Sequence, residues 1–128
     1  MILVLLAGSK SESFSELAST LEYNNAQTVR VESGTTALSM IKDQKFDLVI
    51  ADEKLSDMTG LEFMKKLVLI NPMINCAAIS SLSSEDFHEK SEGLGIIMQL
   101  PPNPDKGHAE ALLKHLNSIL SMTLKKAN

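Results

Sequence analysis

A chain of 128 residues is about one domain's worth, and its 44% hydrophobic content excludes a disordered polymer. The formal net charge of −4 is dispersed, with no basic patch, so neither nucleic acid nor an anionic membrane is expected as the main partner. The single cysteine, Cys76, excludes an internal disulfide framework and points to a reducing compartment.

The chain alternates strand and helix from end to end. Ile2–Ala7 is a continuous apolar run bounded by Gly8, the pattern of a strand covered on both faces. It is too short to span a bilayer and lacks the basic flank of a signal peptide, so a cytoplasmic location is expected. Ser13 with Glu16 three residues on predicts a capping box, opening a helix whose Phe14, Leu17, Ala18 and Leu21 share one face. Asn24-Asn25 marks a turn, and Thr28–Glu32 a second strand. Gly34 precedes a second helix with Ala37, Leu38 and Ile41 inward, and Phe46–Ala51 is a third strand.

After a loop over Ser56–Gly60, a third helix carries Leu61, Met64, Leu67 and Val68 as its core stripe, and Asn71-Pro72 stops it. Ile74–Ile79 is the fourth strand. Ser83–Glu92 reads as a fourth helix anchored by Phe87 and ended by Gly93. Ile96–Leu100 is the fifth strand, cut off by Pro101-Pro102. The last helix is expected from about His108 to Leu124, with Leu112, Leu113, Leu116, Ile119 and Leu120 inward, and residues 125–128 as a frayed tail. Parallel strands need crossover connections, so this alternation predicts one α/β domain over residues 1–124, an open parallel sheet covered on both faces.

In such sheets ligands bind at the carboxyl ends of the strands. There the first strand offers Gly8, Ser9, Lys10 and Ser11; the third Asp52, Glu53 and Lys54; the fourth Ser80 and Ser81; the fifth Leu100 and two prolines. The run from Phe46 to Gly60, FDLVIADEKLSDMTG, resembles the third strand and following loop of response-regulator receiver domains. The resemblance extends over almost the whole chain and includes Asp52, the Asp57–Gly60 turn, Ser80, Gly93 and Pro101. It implies a flavodoxin-like doubly wound sheet of order 2-1-3-4-5 with five helices, two on one face and three on the other. It also implies a place in two-component or phosphorelay signalling. Asp52 matches the acid that takes a phosphoryl group from a histidine kinase, and Ser80 the hydroxyl that contacts that group.

Other positions depart from the pattern. The family places an acidic pair after the first strand to hold Mg²⁺; here Ala7 to Lys10, including Gly8, contain no carboxylate. The lysine before the proline is Leu100, and the switch aromatic of the fifth strand is Ile97, expected to pack between that strand and the fourth helix. Phosphoryl transfer runs on positioning and charge stabilisation, so these losses imply a retained fold with weak or absent Mg²⁺ binding, and no enzymatic activity is expected.

Lys54 and Lys10 are candidates to place an ammonium beside Asp52; the plainer reading is that both extend into solvent. Gly8-Ser9-Lys10-Ser11 resembles a phosphate-cradling loop in composition but lacks the spacing of one. His88, His108 and His115 form no ligand cluster, and Cys76 is expected to be a buried thiol. Three functions fit. One is a pseudo-receiver that binds a protein partner, a histidine kinase or an output protein, through the face of the fourth helix, fifth strand and fifth helix. Another is an atypical phosphoacceptor using Asp52. The third is a flavodoxin-like phosphate or ligand-binding domain, though a single Tyr and no Trp argue against a stacked flavin.

Overall fold

The computed structural model describes residues 2–127, with side chains through Met122. Its strands are β1 (Leu3–Ala7), β2 (Gln27–Val31), β3 (Leu48–Ala51), β4 (Cys76–Ile79) and β5 (Ile96–Leu100), all parallel, in the order β2-β1-β3-β4-β5. The central strands β1, β3 and β4 are almost wholly buried, because helices cover both faces of the sheet.

Helices α1 (Ser15–Tyr23) and α5 (Lys106–Ala127) cover one face, and α2 (Gly34–Asp43), α3 (Gly60–Ile70) and α4 (Ser84–Lys90) the other. Strand alternation divides the core accordingly. Val4, Leu6, Leu48 and Ile50 meet Phe14, Leu17 and Leu112 on the first face; Leu5, Val49 and Ala51 meet Ala37, Phe63 and Phe87 on the second. Each large side chain so buried contributes about 1.5–3 kcal/mol.

Ser33, Thr59 and Ser83 cap α2, α3 and α4, their side-chain oxygens accepting from the N–H of Thr36, Glu62 and Asp86 at 3.0, 3.2 and 3.1 Å. Asn25, at φ 69°, makes the turn before β2, and Gly93, at φ 84°, the turn after α4.

Four local expectations are corrected. Ser13 lies inside a 3-10 turn over Ser11–Phe14, so the expected capping box does not form; Phe14 is the half-in residue of α1 and gives no side-chain cap. Phe63 is fully buried in the α3 stripe, with Leu61 and Val68 at its margin. The last helix starts two residues earlier than expected and continues through Ala127; Asn128, the end of the expected tail, lies outside the described residues. Ile97 sits at a register shift, between the pairs Cys76↔Ile96 and Ala77↔Met98, and packs on the α1–α5 core. Ile96 is the residue turned toward the α4 side, because the register shift opposite Cys76 and Ala77 interrupts the side-chain alternation of β5.

Candidate functional site

The register of β1 on β3 pairs Ala7 with Ala51, which brings Gly8 beside Asp52 at the carboxyl edge of the sheet. Asp52 is 8% exposed; its N–H donates to the Ala7 carbonyl at 2.9 Å, and its Oδ1 accepts from the Glu53 N–H at 2.7 Å. Ser80, the first residue past β4, is 7% exposed. Its N–H donates to the Leu100 carbonyl at 2.9 Å, and its Oγ accepts from the Leu82 N–H at 3.2 Å. Asp52 and Ser80 line one pocket of about 280 Å³, walled by Leu61, Leu82 and Phe87. The two residues that the sequence singles out are thus brought together, from strands paired side by side.

A second opening of about 320 Å³ lies on the other side of Asp52 and is lined by Lys10, Glu12, Glu53, Lys54 and Asn103. Both lysines are exposed, and neither makes an ion pair with Asp52 among the described residues, so the charge partnership weighed for them is not formed. Solvation of a free ammonium competes well with such a surface pair. Lys54 instead contributes its carbonyl, which accepts from the Ser9 N–H at 3.1 Å. The Gly8 N–H likewise donates to the Val31 carbonyl at 3.0 Å, so these N–H groups of the first loop are spent on backbone and form no phosphate cradle.

Glu12, which no sequence signal marks, and Glu53, marked only as a residue that follows the third strand, also line this opening. Glu12 stands beyond the positions of the family's acidic pair, and only the 3-10 turn returns it to the edge of the cleft. Among the described residues no group of three or more His, Cys, Asp or Glu side chains is arranged to hold a metal ion. Gly8 marks the difficulty. A Cβ there would stand 2.8 Å from the Asp52 Cβ and 2.8 Å from the Phe14 ring. The position beside Asp52 therefore offers neither a carboxylate nor room for one, and the residues present do not fit the Mg²⁺ that the receiver pattern implies.

Leu100, at the lysine position, is 1% exposed and belongs to the α1–α5 core. Next to it, Gln99 turns to the β4–α4 loop, its Nε2 donating to the carbonyls of Leu82 and Ser80 at 2.8 and 3.4 Å. Glu53 reaches the same loop: Oε1 accepts from the Ser81 N–H at 2.7 Å and Oε2 from the Ser81 hydroxyl at 3.0 Å.

The loop after Asp52 is held tightly. The Gly60 N–H donates to the Glu53 carbonyl at 2.8 Å, and a Cβ on Gly60 would fall 2.2 Å from the Asp52 carbonyl oxygen, so only glycine lets α3 start there. Asp57 accepts from the N–H of Gly34 at 2.7 Å and from the N–H and hydroxyl of Thr35 at 3.1 and 2.6 Å. These bonds, the Thr35 hydroxyl first, lower its carboxyl to about pKa 2. Away from the cleft, burial pushes the Cys76 thiol up to about 11, which leaves it an unreactive core group at neutral pH. His88 and His115 are exposed, and His108 pairs with Asp105 at 2.8 Å at the start of α5.

A parallel sheet with this strand order, and an acid and a hydroxyl meeting at its carboxyl edge, defines a flavodoxin-like domain of receiver architecture. The model of the response regulator receiver domain matches residues 4–102, and the chain belongs to that family, the receiver modules of two-component systems. Over 91 residues it is 29% identical to the transcriptional regulatory protein ZraR of Escherichia coli, a match covering 68% of this chain and 21% of that protein. Over 71 residues it is 28% identical to the sporulation initiation phosphotransferase F of Bacillus subtilis, covering 56% of this chain and 57% of that one. The chain thus spans about a fifth and somewhat over half of these two relatives. Among solved structures, the chemotaxis response regulator CheY4 of Vibrio cholerae superposes with a TM-score of 0.80 at 19% identity, covering 91% of this chain and 98% of that one. Receiver domains act through histidine kinases or output proteins, and no helix among the described residues is long and apolar enough to cross a membrane.

Proposed function

We propose that this chain is a pseudo-receiver: a non-enzymatic, cytoplasmic signalling module that binds a protein partner through a surface set by packing rather than by phosphorylation. The observation that carries this reading is the pair of positions flanking Asp52. Gly8 has neither charge nor room for a side chain, and Leu100 is committed to the core. A phosphoryl group on Asp52 would meet no cation from β5 and no acid-held metal from β1. Each lost stabilising group of this kind costs roughly 10²–10³ in rate, by analogy with oxyanion-hole donors. Any state dependence also needs a differential interaction between the phosphoryl group and two conformations, and Ile97, packed on the α1–α5 core, supplies no polar lever. The proposed docking face comprises α4, the edge strand β5 and α5.

A second reading, in which Asp52 still accepts a phosphoryl group, is favoured by one observation: Asp52 and Ser80 share a pocket. Intact-protein mass spectrometry after incubation with acetyl phosphate and Mg²⁺ separates the two. The pseudo-receiver reading expects no phosphoryl adduct. A stoichiometric adduct that is absent from Asp52→Asn would replace it with the second reading.

A further inference from the structure

The backbone N–H groups of the β4–α4 loop from Ser80 to Leu82 are satisfied without any ligand. The N–H groups of Ser80, Ser81 and Leu82 go to the Leu100 carbonyl, the Glu53 carboxylate and the Ser80 Oγ respectively. Gln99 donates to the carbonyls of Ser80 and Leu82. An oxyanion arriving at Asp52 would find none of these three N–H groups free to donate.

Glu53 is the one charged member of this set, and its backbone is fixed on both sides. Its N–H donates to Asp52 Oδ1, and its carbonyl accepts from the Gly60 N–H. From that anchored position its two carboxylate oxygens take the Ser81 N–H and hydroxyl separately, a two-point contact to a residue 28 positions away. Bonds to an ionised acceptor are shorter and stronger than neutral ones. Nothing else among the described contacts joins the β3–α3 loop to Ser81 by a charged group.

We propose that Glu53 is a built-in anionic ligand of the β4–α4 loop: its carboxylate holds Ser81, and so positions the start of α4, where a phosphorylated receiver would rely on a modified aspartate. Glu53 is a positioning residue here. The inference rests on the pseudo-receiver reading and deepens it, since it names what sets the constitutive state. The loop, and with it the α4 side of the docking face, depends on Glu53 and is indifferent to the charge of Asp52.

The test compares wild type, Glu53→Ala, Glu53→Gln and Asp52→Asn by amide hydrogen exchange and backbone NMR shifts, with no phosphodonor present. Asp52→Asn is the apt control, because its side-chain oxygen can still accept from the Glu53 N–H. Glu53→Ala is expected to speed exchange at the Ser81 amide about tenfold, local opening being set by the bonds that close a segment, and to move the resonances of Ser84–Lys90. Glu53→Gln, with one acceptor oxygen left, is expected to fall between. Asp52→Asn is expected to leave Ser81 and α4 as in wild type. Unchanged Ser81 exchange in Glu53→Ala, or the same loosening in Asp52→Asn, would overturn the proposal. Because no phosphoryl group enters the experiment, its failure is distinct from failure of the pseudo-receiver reading, which is decided by adduct formation on wild type.

Discussion

Two regions border Asp52 and have fared differently. The loop after β3 carries the Asp57–Gly60 turn of the receiver pattern; the ends of β1 and β5 carry Gly8 and Leu100 where that pattern has charges. The difference lies in what each residue does for the fold. Asp57 ties the loop to the N-terminus of α2, and Gly60 lets α3 begin against the Asp52 carbonyl, so changing either disturbs the architecture. An acid at Gly8 or a lysine at Leu100 would serve only a phosphoryl group and its metal. Those two positions are given over to packing: Gly8 fits under Phe14, and Leu100 fills the α1–α5 core. In these two regions the positions that match the pattern are ones with a structural role, and the positions that depart from it are ones whose role there is electrostatic.

The largest effect that sharpens this contrast is at Leu100. If the position is core, Leu100→Ala costs about 2–5 kcal/mol, the range for a large aliphatic side chain removed from a packed site, measured as a shift in the urea midpoint. A cost below 1 kcal/mol would show that Leu100 is not packed as described and would weaken the contrast. Gly60, in the other region, and Gly34, which packs against that region's Met58, come next. Gly60→Ala drives a Cβ into backbone, with nothing flexible to give way, and is expected to cost about 1–3 kcal/mol, the usual range for overpacking. For Gly34→Ala the three atoms nearest the new Cβ all belong to Met58, whose Sδ would lie 2.5 Å away but can swing aside, so a smaller cost is expected. Equal losses at the two glycines would mean that the Asp52 carbonyl is not the obstacle.

Most of the fold is legible in the sequence because unbroken apolar runs and helical stripes are local signals. The strand order was supplied by the family pattern in the run around Asp52, and the structure agrees with it. What escaped was non-local or geometric. Ile97 was expected against the fourth helix from the family position it occupies, and a bulge opposite Cys76 and Ala77 turns it to the α1–α5 core. Glu12 reaches the cleft only through a 3-10 turn where a capping box was expected. The contact between Glu53 and Ser81 joins two loops, and no spacing rule encodes it. Asp52 and Ser80 were legible because each directly follows a strand at the carboxyl edge, where topology concentrates ligand groups.

The smallest expected effect is the one that Asp57 exerts on pH dependence. Its carboxylate faces solvent, but three donors from Gly34 and Thr35 hold it in the charged form, at about pKa 2 against an ordinary 3.8. A carboxyl whose folded pKa lies below its unfolded one adds stability above the unfolded value, and that stability is lost as pH falls through the folded value. The contribution should therefore be complete at neutral pH, begin to fade near 3.8 and be gone below about 2. Asp105 is also lowered, by its bonds at the start of α5, so acid sensitivity of the wild type alone does not isolate Asp57. The difference between wild type and Asp57→Asn does, because Asp105 is common to both. Asparagine can still accept from the Gly34 N–H, but it carries no charge to lose and its amide cannot accept from Thr35. Urea midpoints of the two proteins should differ at neutral pH and converge as the pH drops through that window. A difference that stays constant down to pH 2 would mean that the loop is held by shape alone, and that the charge of Asp57 belongs with the dispensable charges of β1 and β5.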